Sequence, residues 1–223
     1  MPIIINNSMN FKQWLENREE KLKVFLDLDE TLVNTVRFQF NGERLQFNDI
    51  EEMEKLGGKI IGDYISFLRP HTIDFIKELQ KKLEVYILTS GKKDFQKQII
   101  KIHNIPINDS NIFTREDYYD KGSEENNIPK FSNSILVDDN THGSSGINDK
   151  LYALGAIQDR NPKINYGTTM SYEDPVVDQK FINVKPFYIN GPEDLPSDDN
   201  ELLKTLHIIM HKYLHELYRM AQS

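Results

Sequence analysis

The sequence predicts an α/β fold: a Rossmann-like, three-layer domain with a central parallel sheet and a small β-rich insert after the first strand. Three observations predict it. Short apolar runs at 23–27, 83–88, 134–137 and 181–184 alternate with segments of helical period, the pattern of strand–helix–strand units. Three of those runs lead into chemistry-bearing residues, Asp27, Thr89 and Asp138, and the carboxyl ends of an open parallel sheet line one crevice. At 223 residues the chain has the length of one domain with a full core.

Taken in order, residues 8–21 read as a helix, with Ser8 as N-cap and Phe11, Trp14, Leu15 and Leu22 on one stripe. The opening strand follows at 23–27. The insert spans 34–67. Its residues 36–40 and 43–47 flank Asn41-Gly42 as a hairpin, a short helix at 49–56 ends at Gly57-Gly58, and 59–68 reads as one more strand. Following directly on the first strand, this unit is either a flap over the crevice or a plain surface sheet. Pro70 starts a helix through Lys82, with Ile73, Ile76, Leu79 and Leu83 apolar. The strand at 83–88 ends in Thr89-Ser90-Gly91, and a helix at 92–103 turns Phe95, Ile99, Ile100 and Ile102 inward. A short strand at 112–114 precedes Arg115 and a polar loop. The strand at 134–137 runs into Asp138-Asp139-Asn140. Residues 141–180, rich in Gly, Asn, Pro and Asp, are too long for a plain connection and read as a semi-ordered excursion near the site. A strand at 181–184 and a broadly apolar helix at 199–219 close the domain.

Composition narrows the function classes. The chain has no cysteine, which excludes disulfides, zinc–thiolate sites and cysteine nucleophiles. A formal charge of −8 argues against a nucleic-acid or anionic-membrane binder. No run of about 18 apolar residues is present to span a membrane. Residues 1–7 lack the basic lead and apolar core of a secretory signal, so a cytoplasmic location is the expectation; a monomer is expected as well.

Asp27, Asp29 and Thr31 follow the first apolar run at two-residue intervals. Two carboxylates do not converge without a counter-ion or a shared proton. A core strand gains nothing from the pair, whereas a Mg²⁺ site at the end of a parallel sheet requires it. The bland alternative is a set of caps on a strand–loop junction. Against it stand two further strand ends: Thr89 and Ser90, placed to meet an anion at a helix N-terminus, and Asp138 and Asp139, further ligands for a hard cation. Acidic ligands beside hydroxyl donors describe Mg²⁺-dependent phosphoryl transfer. With no cysteine and no Gly-x-x-x-x-Gly-Lys-Ser/Thr loop, a carboxylate nucleophile that forms an aspartyl-phosphate remains.

Val24-Phe25-Leu26-Asp27-Leu28-Asp29-Glu30-Thr31-Leu32-Val33 resembles motif I of the haloacid dehalogenase superfamily. Its wording is similar to the branch of small C-terminal-domain phosphatases, the NLI-interacting-factor-like group. Phe67-Leu68-Arg69-Pro70-His71, Ile87-Leu88-Thr89-Ser90, Ile112-Phe113-Thr114-Arg115-Glu116 and Leu136-Val137-Asp138-Asp139-Asn140 resemble further blocks of that branch. The resemblance covers roughly 22–140 and 181–214.

The resemblance implies a haloacid-dehalogenase-like fold and a set of roles. Asp27 is the nucleophile and a metal ligand. Asp29 is the general acid/base and offers its backbone carbonyl to the metal. Thr31 orients the loop, Thr89 and Ser90 bind phosphate, and Asp139, supported by Asp138, completes the Mg²⁺ site. A lysine should neutralise the phosphoryl group and hold Asp27. Lys121, 17 residues before Asp138, fits better than Lys130, only eight before. Arg115 matches a position that can touch substrate. The chain also departs from the branch: Gly91 ends the hydroxyl turn where Ser is usual, Asp139 stands where Asn is usual, and Phe187 where Trp is usual. The expected substrate is a phosphoserine or phosphothreonine protein or peptide. The alternatives are a small-molecule or nucleotide phosphatase with 141–180 as its lid, and a non-catalytic interaction module.

Overall fold

The computed structural model describes residues 22–37, 50–118, 128, 134–140, 145–154, 181–189, 194 and 198–221. In chain order the elements are β1 (Lys23–Leu26), β2 (Val33–Arg37), α1 (Ile50–Lys55), β3 (Lys59–Ile61), β4 (Tyr64–Leu68), α2 (Thr72–Gln80), β5 (Glu84–Leu88), α3 (Lys93–Ile102), β6 (Ile112–Phe113), α4 (Arg115–Tyr118), β7 (Ser134–Asp138), α5 (Ser145–Ala153), β8 (Phe181–Asn183) and α6 (Glu201–Ala221).

β1 is the centre of a five-stranded parallel sheet of order β6-β5-β1-β7-β8. The chain builds outward from β1 to β5 and β6, then returns to lay β7 and β8 on the other side. The order therefore reverses at β1, which places the ligand crevice there. Side chains alternate across a strand. Val24 and Leu26 join Phe75, Ile76 and Leu79 of α2, Ile99 and Ile100 of α3, and Leu202 and Ile209 of α6. Phe25 points to the opposite layer, with Leu136, Ile147, Leu151, Leu154 and Tyr118. Each such side chain contributes about 1.5–3 kcal/mol on burial, so the two layers hold β1 rigidly from both faces.

The insert forms a three-stranded antiparallel sheet of order β2-β4-β3. The single strand expected over 59–68 is instead a hairpin, because Gly62 takes φ +54° and turns β3 back on β4. Met53, Ile65 and Phe67 pack with Phe187 and Ile189, which tie the sheet to the segment after β8. On another side, the Thr35 hydroxyl donates to Ser66 Oγ (3.0 Å), and Ser66 Oγ meets His103 Nε2 (2.9 Å) at the end of α3. The expected Asn41-Gly42 hairpin, the 8–21 helix and the loop holding Lys121 and Lys130 lie outside the described residues.

A second correction concerns 141–180. Residues 145–153 are not irregular but form α5, with Ile147, Leu151 and Leu154 buried on its inner side. Gly146 and Asn148 are poor helix formers and hide this spacing in the sequence; tertiary packing overrides them. Among the described residues no helix is long and apolar enough to cross a membrane.

Candidate active site

Asp27 is the first residue past β1. Its N–H donates to the Val137 carbonyl at 2.9 Å, continuing the parallel ladder and setting Asp27 beside Asp138, the last residue of β7. Both are buried. Between them stands the ammonium of Lys150, with Nζ 2.6 Å from Asp27 Oδ1 and 2.5 Å from Asp138 Oδ2. Lys150 is 2% exposed, so its charge is balanced by protein and not by water. It reaches this place because α5 packs its apolar side under the sheet.

Asp27, Asp138 and Asp139 each offer a carboxylate oxygen within 4.8 Å of the others. Among the described residues, three buried carboxylates face one ammonium, leaving two formal negative charges over. An all-oxygen donor set with that surplus fits a hard divalent cation.

The loops around this cluster are fixed by polar contacts. Thr31 Oγ1 donates to Asp139 Oδ1 (3.1 Å) and accepts from the Asp139 N–H (3.0 Å), so one hydroxyl joins the loops after β1 and β7. Asn140 donates to Asp138 Oδ1 through its N–H (2.8 Å) and side-chain amide (3.1 Å). Asn183 Nδ2 lies within 3.3 Å of the carbonyls of Asp138, Asp139 and Asn140. Behind the first loop, Arg69 donates to the Thr31 carbonyl (3.1 Å) and to Asp199 Oδ2 (2.8 Å), while its guanidinium lies 5.5 Å from the Phe187 ring centre. Glu30 in this loop takes φ +58°, a left-handed conformation held by backbone bonds from its N–H to Val33 (2.7 Å) and from Phe187 to its carbonyl (2.7 Å).

Asp29 faces the end of β5. Its Oδ2 accepts from Gln96 Nε2 at 2.7 Å and, more weakly, from Thr89 Oγ1 at 3.4 Å. Ser90 Oγ meets the hydroxyl of buried Tyr118 at 3.1 Å, and that hydroxyl also donates to the Thr89 carbonyl (3.3 Å), so Tyr118 supports the hydroxyl turn from below. Arg115 approaches the same turn by its backbone, its N–H donating to the Gly91 carbonyl at 3.4 Å.

Burial pushes the Asp27 carboxyl well above the usual range; Lys150 opposes this, and Asp138 and Asp29 add to it. Burial also raises Asp29, against the pull of its Gln96 bond. Burial and Asp138 raise Asp139. Burial works against the charge on Lys150, but Asp27 and Asp138 outweigh it and keep the amine protonated. Among the described residues this is a set of acids short of positive charge, and burial favours the protonated form of Asp29.

The structure thus brings together Asp27, Asp29, Thr31, Thr89, Asp138 and Asp139, with Ser90 and Arg115 at the rim of the same turn. Lys121 and Lys130 lie outside the described residues; among the described residues the lysine that meets Asp27 is Lys150. Sequence reasoning passed over Lys150, Gln96, Tyr118 and Asn183. The one signal for Lys150 was the i, i+4 pair Ile147 and Leu151, which sets a buried face beside it.

The strand ends of the parallel sheet hold buried aspartates and a hydroxyl turn, and α5 brings a lysine to them. The family model described as NLI interacting factor-like phosphatase matches residues 22–153, and the chain belongs to that family. It is 24% identical over 110 residues to an RNA polymerase II C-terminal domain phosphatase of Caenorhabditis elegans, a match covering 48% of this chain and 16% of that protein. Two solved structures are similar at lower identity. One is Fcp1, an essential RNA polymerase II CTD phosphatase, with 16% identity, TM-score 0.45, and 90% of this chain and 52% of that one covered. The other is fission yeast Fcp1 bound to beryllium fluoride, with 17% identity, TM-score 0.44, and 91% and 54% covered. The chain therefore spans about half of those solved chains and a smaller part of the curated relative.

Proposed function

We propose that this protein is a Mg²⁺-dependent phosphatase that hydrolyses phosphoserine or phosphothreonine esters in proteins through an aspartyl-phosphate. The observation that carries the reading is the buried Asp27–Lys150–Asp138 arrangement with Asp139 and Asp29 at its edge.

In the first step a carboxylate oxygen of Asp27 attacks phosphorus while the ester P–O bond breaks. Lys150 on Oδ1 holds the carboxylate plane and offsets charge on the phosphoryl oxygens. Asp29 gives its proton to the departing ester oxygen, which leaves as an alcohol. In the second step Asp29 takes a proton from a water that attacks phosphorus, and Asp27 departs as a carboxylate with inorganic phosphate released. Thr89 and Ser90 bind the phosphoryl oxygens. Asp27, Asp138, Asp139 and the Asp29 carbonyl would hold Mg²⁺, which when bound supplies positive charge to those same oxygens. The protein substrate is supported by the named activity of the curated relative.

The test is hydrolysis of an aryl phosphate, a phosphoserine peptide and a panel of phosphometabolites by purified protein. Activity should require Mg²⁺, vanish on chelation, return on adding Mg²⁺, and be lost in Asp27→Asn while the circular dichroism spectrum is kept. Activity surviving Asp27→Asn overturns the nucleophile, and preference for metabolites over the phosphopeptide overturns the substrate class.

A further inference from the structure

Gln96 is the polar exception on the inner face of α3. Its neighbours there, Ile99 and Ile100, are buried in the core, and Gln96 itself is 3% exposed. Its Nε2 donates to Asp29 Oδ2 at 2.7 Å, a shorter contact than the one Thr89 makes to the same oxygen. Its Oε1 is buried without a hydrogen-bond partner among the described residues. An apolar side chain would avoid that unpaired acceptor, so the amide works against stability at one end while it grips Asp29 at the other.

The path of the amide runs across Gly91. A Cβ at residue 91 would lie 1.8 Å from Gln96 Nε2, 2.5 Å from its Cδ and 2.7 Å from its Cγ. No side chain is compatible with Gln96 in this rotamer. The same Gly91 donates its N–H to Thr89 Oγ1 at 3.1 Å, so the turn that clears space for the amide also orients the hydroxyl beside it. Gly91 is one of the places where this chain departs from the branch it resembles.

We propose that Gln96 is a positioning residue for Asp29 and that Gly91 is glycine to admit its amide. The inference rests on the acid/base role given to Asp29 above. Because the amide N–H₂ donates to Oδ2, that oxygen is fixed as the acceptor and the transferable proton sits on Oδ1. As the ester P–O bond breaks, the Asp29 O–H bond breaks with it and the leaving oxygen departs as the alcohol. A loosened Asp29 penalises esters whose leaving oxygen needs that proton and spares those whose leaving group departs as a stable anion. The device is therefore directed at alkyl phosphates such as phosphoserine.

The experiment compares kcat and KM for a phosphoserine peptide and for dinitrophenyl phosphate, in wild type, Gln96→Leu, Gly91→Ala, the double variant and Asp29→Asn, all with saturating Mg²⁺. General acid catalysis contributes about 10²–10⁴-fold, so partial loss of its alignment should lower kcat for the peptide by about tenfold or more, with less than about threefold change for the dinitrophenyl ester. KM should hold. Gly91→Ala should reproduce Gln96→Leu, and the double variant should be no worse than Gln96→Leu alone, because both changes remove one contact. Gly91→Ala displaces the Gln96 side chain from Cγ outward and leaves residue 96 itself unchanged, so it gives a second, independent route to loss of the contact where Gln96→Leu folds poorly. Equal losses on both esters, no loss on either, or additive losses in the double variant overturn the proposal. Asp29→Asn separates the two readings: if it spares the peptide, the acid/base role itself fails; if it selectively impairs the peptide while Gln96→Leu and Gly91→Ala do not, only the positioning role fails.

Discussion

Replacing Lys150 with methionine removes a charge and keeps most of the side-chain volume, so the consequence is electrostatic and not a cavity. In the native protein the ammonium sits 2.6 Å from Asp27 and 2.5 Å from Asp138, at 2% exposure. Without it, two buried carboxylates face each other and Asp139 with no cation among the described residues. Breaking a buried pair from one side costs about 3–5 kcal/mol. For a chain of this size each kcal/mol moves Tm by about 2–4 °C, so the metal-free variant should melt about 6–20 °C below wild type. Mg²⁺ should recover part of that loss, since it supplies positive charge to the same carboxylates. Adding Asp138→Asn to Lys150→Met should also recover stability in metal-free buffer, because the surplus negative charge is gone. Turnover of an aryl phosphate should fall by about 10²–10³-fold, the scale expected when a group stabilising the transition-state charge is lost. Metal-free urea and thermal melts with steady-state kinetics read both effects. A Lys150→Met protein with unchanged Tm and unchanged kcat would refute the reasoning and return the role to a lysine outside the described residues.

Two further outcomes follow from the supports around the site. Asp199→Asn should cost about 1–2 kcal/mol by removing the carboxylate that balances the buried charge of Arg69; Arg69→Met should cost more, since it also strips the donor from the Thr31 carbonyl, and urea midpoints order the two. His103 is held at about 4, below its ordinary 6.5, mainly by burial and then by the charge of Lys59. Its native pKa is the lower one, so the unfolded chain binds more protons in between. Stability is full above about pH 6.5 and is lost as pH falls toward 4, by about 2 kcal/mol after allowance for solvent screening. His103→Gln should flatten that stretch of the stability–pH curve; an unchanged slope would remove the assignment.

The parts of the molecule readable from sequence are those where local pattern and tertiary role agree. The run Val24-Phe25-Leu26 is apolar at every position because β1 is buried on both faces, and the aspartates after it stand where a parallel sheet puts its crevice. Asp138 and Thr89 were legible for the same reason. What escaped was set by partners distant in the chain. Lys150 looks like any surface lysine until α5 docks beneath the sheet, and Gly146 and Asn148 masked that helix. Gln96 has meaning only beside Asp29 and Gly91. In 59–68 the apolar β-branched run read through a turn that Gly62 makes by its left-handed backbone.

The contact between Arg69 and Asp199 joins positions 130 apart in the chain, one fixing the loop after β1 and the other preceding α6. During synthesis, the loop after β1 emerges well before Asp199, and Arg69 waits for 130 further residues before its guanidinium clamp has this partner. Loop closure over that span is slow compared with local helix formation. The nascent chain therefore carries Asp27 and Asp29 long before the last strut of their loop arrives, and this contact becomes a marker of completed folding.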